Sequence, residues 1–148
     1  MALTLPIDGE AFVGHNGGAL KTFRFTVGVA GDVVVGAPAT VALLNVPIGL
    51  MVHDVHTRVI TAFTTSVTLT IGDGVTADGY MTSAIIAPQG AITTGIYKGM
   101  VDEGSTTFAG GKVYVAADTI DVVVAAATAA AGLMEVVVTF SESSSDDA

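Results

Sequence analysis

Three short stretches bring together residue types able to do chemistry. The first is His53-Asp54-Val55-His56-Thr57-Arg58, with base, acid and cation inside six positions. On a strand, successive side chains alternate faces, so His53 and His56 point apart and cannot jointly hold one metal ion. Asp54, His56 and Arg58 share the other spacing and read as a solvated polar ladder on one exposed pleat. A pH-sensitive subunit contact is the sharper reading of the same three residues. The second stretch, GHNGGALKT at residues 14–22, has the glycines and lysine of a phosphate loop but not their order. Such a loop needs Gly directly before Lys and a helix after it; here Ala19 and Leu20 intervene and a strand pattern follows.

The third stretch is LTIGDGVTADGYM, residues 69–81, with two Asp-Gly pairs five positions apart. An EF-hand takes oxygen ligands at alternating loop positions and a glutamate at the twelfth. Counted from Asp73, those positions hold Val75, Ala77 and Ala84, so that spacing fails. Asp73 and Asp78 stand as calcium candidates only in a non-EF site completed by loop carbonyls. The competing reading makes the first Asp-Gly the end of a strand, SVTLTI, and the second the start of the segment YMTSAII. With no cysteine and three histidines, no nucleophile-and-base pair emerges.

The elements that must position these residues are strands. Phe23, Phe25, Val27 and Val29 alternate with Thr22, Arg24 and Thr26; Val67, Leu69 and Ile71 alternate with Ser66, Thr68 and Thr70. Ile120, Val122 and Val124 share a face opposite Asp121, and Met134, Val136, Val138 and Phe140 alternate with Glu135, Val137 and Thr139. This period-two pattern marks half-buried strands. Turn signals separate the runs: Gly17-Gly18, Gly31-Asp32, Pro47 with Gly49, Asp73-Gly74, Asp78-Gly79, Gly110-Gly111 and Ala117-Asp118. The expected fold is all-β, an antiparallel β-sandwich of jelly-roll type with about eight or nine strands. No helical periodicity stands out; the alanine-rich residues 125–131 are too short for a stable helix.

At 148 residues the chain suits one domain: an N-terminal arm over 1–20, a sandwich over 21–141, and an acidic, serine-rich tail over 142–148. Only 13% of residues are charged while 51% are hydrophobic, which favours burial of surface against other copies. A net charge of −9 with five Lys and Arg disfavours nucleic acid as a partner. Residues 1–12 lack the basic and apolar regions of a secretory signal. The apolar run at 120–138 contains Asp121, Gly132 and Glu135, and reads as two strands rather than a membrane span.

Two longer patterns carry a resemblance. TAFTTSVTLTIGDGVTADGYM, residues 61–81, joins an Ala62-Phe63 strand end, a polar turn, a Thr-Leu-Thr-Ile-Gly-Asp strand and the Gly79-Tyr80 pair. GKVYVAADTIDVVVAAATAAAGLMEVVVTFSE, residues 111–142, joins a Tyr-containing strand, an Ile-Val strand, a small-residue turn and a last strand. Together they resemble small structural proteins of tailed bacteriophages, the capsid decoration (cement) and head-fibre-like proteins. The resemblance spans roughly residues 52–142 and rests on strand and turn patterns, not on catalytic signatures. It implies a virion protein on the outer surface of the capsid, a homo-oligomer, typically a homotrimer, whose partner is the major capsid protein, and it implies no enzyme and no cofactor. The alternative is a phage fibre or surface β-sandwich that recognises carbohydrate, with calcium at Asp73 and Asp78. Neither pattern assigns interface residues.

Overall fold

The computed structural model describes residues 20–31, 33–34, 39–64, 67–86, 92–98, 107–108, 110–125 and 130–142. The arm expected before Leu20, the tail expected after Glu142 and the alanine-rich residues 126–129 lie outside the described residues. Nine strands are described: β1 (Lys21–Gly28), β2 (Val33–Val34), β3 (Ala39–Val46), β4 (Leu50–Thr61), β5 (Thr68–Asp73), β6 (Gly95–Lys98), β7 (Lys112–Val113), β8 (Asp118–Ala125) and β9 (Leu133–Glu142). A single helical turn, α1 (Ser83–Ile86), interrupts them. Four residues are too few to show a helical period, which is why the sequence pattern does not reveal it.

The strands form two sheets. One runs β2-β1-β9-β4-β6, with β7 also on the free edge of β4; the other runs β3-β8-β5. β1 pairs with β9, β3 with β8, and β4 with β6, so the pairing is nested from the outside of the sequence inward. At the centre of the nest, β5 is closed only by a bridge from Ile71 to Met81. A long hairpin rolled onto itself in this way is a jelly roll, with one strand reduced to Tyr80 and Met81. The pairs are antiparallel except β1 with β2, which is parallel.

Alternation puts the expected side chains inside. Phe25, Val27, Leu69, Ile71, Ile120, Val122, Val124, Met134, Val136, Val138 and Phe140 are all buried in one core. Phe23 packs on that core and stacks on Phe140 at 4.9 Å between ring centres. Val29 departs from the expected pattern: β1 ends at Gly28, and Val29 sits exposed in the following turn. Gly132 is required by its surroundings, with φ 137° and the Phe63 ring where a Cβ would stand.

Both segments of the apolar run 120–138 are strands, β8 and β9, and they belong to different sheets. Among the described residues no helix is long and apolar enough to cross a membrane.

Candidate functional site

The His53–Arg58 stretch lies in β4, and a β-bulge decides where its side chains go. Val52 faces Phe140 of β9, but Asp54 faces Thr139, so His53 is the extra residue. Before the bulge, Leu50 and Val52 are buried; after it, Val55, Thr57 and Val59 are. Without the extra residue, Asp54, His56 and Arg58 would follow Leu50 and Val52 into the core. With it they line the outer face of the sheet, as their mutual spacing predicts. Asp54 Oδ2 contacts His56 Nδ1 at 3.0 Å, while His53 Nε2 is 2.7 Å from Ser141 Oγ. The two histidines serve different partners and do not converge.

Asp73 has a structural task in this fold. Its Oδ1 accepts from the backbone N–H groups of Val75 (3.0 Å) and Thr76 (2.7 Å), which closes the turn after β5. Its Oδ2 pairs with Lys112 of β7. The side chain is fully buried, and the Lys112 ammonium lies over the rings of Phe108 (4.4 Å) and Tyr114 (4.5 Å). Burial pushes the Asp73 carboxyl up, but Lys112 and the two amides outweigh it and hold the group below its ordinary value. Beneath this pair, the hydroxyls of Tyr80 and Tyr114 meet at 2.6 Å, and burial raises both phenols. Asp78 is exposed on the far side of the turn. Among the described residues no group of three His, Cys, Asp or Glu is placed to hold a metal ion.

Asp118 completes the same end of the molecule. Its Oδ1 accepts from the amides of Gly74 (3.2 Å) and Thr119 (2.8 Å), tying the start of β8 to the turn after β5. Nearby Asp121 is 6% exposed although it lies on the outward phase of β8. Burial pushes its carboxyl up, a Thr119 hydrogen bond opposes this, and the charges of Asp118 and Asp73 add to the rise. A raised carboxyl costs stability once pH climbs through its folded pKa and the buried group ionises. Asp121→Asn is therefore expected to raise stability by about 1 kcal/mol at neutral pH. The gain should vanish below about pH 4, near the ordinary aspartate value. Urea titrations of both proteins at the two pH values check this.

These polar and aromatic groups form a rigid floor, and on it stands an apolar rim. The turn between β3 and β4 is fastened to the segment after β7, because Gly49 N–H donates to Tyr114 O (2.7 Å) and Tyr114 N–H to Leu50 O (2.9 Å). The fastening sets the turn that carries Ile48 (70% exposed) against the segment that carries Val115 (82%), and Val115, Val75 (86%) and Val113 (48%) line the adjoining groove. That groove, of ≈ 370 Å³, is completed by Ala116 and Ala117, and a second of ≈ 580 Å³ lies between Pro47 and Thr119. Half of the exposed large hydrophobic residues among those described thus gather at one end. Exposed apolar clusters of this kind mark interaction surfaces. The sequence pattern did not single out these residues, since they come from three separate segments: the turn between β3 and β4, the turn after β5, and β7 with the residues that follow it.

No protein-family model matches the sequence, and no curated protein matches it. Solved structures do match. A chain of the Cyanophage Pam1 capsid asymmetric unit is 24% identical, with a TM-score of 0.56, over 87% of this chain and 89% of that one. A chain of the capsid of Ralstonia phage GP4 is 15% identical, with a TM-score of 0.61, over 90% of both. A chain of the acid-stable capsid of Helicobacter pylori bacteriophage KHP30 is 8% identical, with a TM-score of 0.58, over 83% and 87%. The chain shares its fold with these capsid chains.

Proposed function

We propose that the chain is a structural protein of a phage virion, a decoration protein that attaches to the outer surface of the head and stabilises it. The observation that carries this reading is the likeness to chains of three phage capsids over most of the length of each. One physical feature supports it: Ile48, Val75, Val113 and Val115 present exposed apolar side chains on neighbouring segments at one end of the sandwich. Attachment runs through this rim to the major capsid protein. Copies associate as a homotrimer, whose several weak contacts with a repeating shell add by multivalency.

Sedimentation equilibrium of the purified chain, followed by pelleting with undecorated heads of the source phage, tests this function. A stable oligomer that co-pellets at fixed stoichiometry is the expected result. A monomer at all concentrations, left in the supernatant, would falsify the proposal.

A further inference from the structure

The outer face of the β2-β1-β9-β4-β6 sheet is distinctive for its charge. Registers place Arg24 beside Val137 and His56, and the next row places Thr26, Glu135 and Arg58 side by side, with Ile96 following. In a chain of formal charge −9, two of only five Lys and Arg side chains therefore flank Glu135. Both carboxylates of this face are already engaged: Glu135 holds Arg24 at 3.1 Å, and Asp54 holds His56. Arg58 is exposed, and among the described residues it has no carboxylate within ion-pair distance. Among the described residues, then, the Arg58 guanidinium is open to a carboxylate brought from elsewhere.

The sequence holds such carboxylates at a defined place. β9, the central strand of this same face, ends at Glu142, and the sequence after it reads SSSDDA, with Asp146 and Asp147. Reaching Arg58 within one copy would require the chain to reverse and run back from Glu142 to the level of Glu135, roughly 23 Å at ~3.3 Å per residue. The Arg24 row, at Val137, is nearer, about 17 Å back, but Asp147 is itself only about 17 Å of extended chain beyond Glu142, before any residue is used in the reversal. A neighbouring copy standing alongside needs no such reversal.

We infer that the acidic residues Asp146 and Asp147 of one copy dock on the Arg24–Arg58 face of a second copy. This is a heterologous contact, in which each copy gives a tail and receives one, and in a homotrimer its rotation closes into a ring. The inference rests on the proposed homo-oligomer and supplies the contact that sets its direction around the ring. It also explains how an acidic chain approaches its own kind: the tail's charge meets the one face where guanidinium groups are concentrated.

The test uses full-length chains in sedimentation at about 20 mM and about 300 mM salt. Arg58→Glu, or Asp146→Asn with Asp147→Asn, should weaken self-association at least ~tenfold at low salt, and the difference should shrink at high salt. Combining Arg58→Glu with Asp146→Lys and Asp147→Lys should restore association, a recovery that general loss of acidity cannot produce. Unchanged association in both weakening variants, or no recovery in the charge swap, would overturn the tail contact. The proposed virion role is read separately, by pelleting with heads: variants that still decorate normally while association is unchanged sink the tail contact alone.

Discussion

Lys112→Met is expected to lower the stability of the domain by about 3 kcal/mol at pH 7, the scale for removing one partner of a buried ion pair. The loss follows from what is left behind. Asp73 remains buried with two amide donors on Oδ1, but Oδ2 loses the ammonium that it pairs with. In the native chain the lowered Asp73 pKa adds stability above the ordinary aspartate value, and this is lost as pH falls through the folded value. In the variant the sign inverts, because burial now dominates and protonation relieves the orphaned charge. The difference between the two proteins should shrink steadily from pH 7 to pH 4 in chemical denaturation. A deficit independent of pH would show that Lys112 contributes packing alone. The same experiment addresses the calcium alternative. Asp73→Ala should destabilise equally with and without calcium, and Asp78→Ala should leave melting unchanged in both conditions. A calcium-dependent rise in melting that Asp78→Ala abolishes would revive that reading.

The second large effect is expected at the rim. Ile48→Asp and Val115→Asp place a charge on side chains that already face water, so each should change stability by no more than about 0.5 kcal/mol. If the rim seats on the shell, each buries an unpaired carboxylate there, and attachment should weaken at least ~30-fold per substitution, the equivalent of about 2 kcal/mol. Val29→Asp, on an exposed residue of the turn after β1, lies at the Leu133 and Thr61 end of the sheet, opposite the rim; it is the control and should leave attachment unaffected. Pelleting isotherms with heads, read beside melting curves, separate a docking defect from a folding defect. Equal attachment by all three variants would remove the rim from the docking surface.

How much of this was legible beforehand depends on how local each feature is. The alternation of β1, β5, β8 and β9 is a property of consecutive residues, so the sandwich and its core could be read directly. The outward placement of Asp54, His56 and Arg58 was also legible, but its cause was not. A bulge at His53 is set by the partner strand, where Phe140 and Thr139 face Val52 and Asp54. The ion pair of Asp73 joins residues 39 positions apart and could not be read from the Asp-Gly pattern, which suggested a turn or a cation. Both the turn and a cation are in fact present, but the cation is an ammonium supplied by β7. The apolar rim escaped notice for a similar reason: Ile48, Val75 and Val115 each look like an isolated exposed residue until the fold gathers their turns at one end.

The most direct test of the virion role is a cryo-electron microscopy reconstruction of the source particle. Density for a jelly roll is expected on the outer surface of the head, in rings of three, with Ile48 and Val115 turned toward the shell. A reconstruction in which this chain is missing from the head, or in which the rim points to solvent while another surface makes the contact, would contradict it.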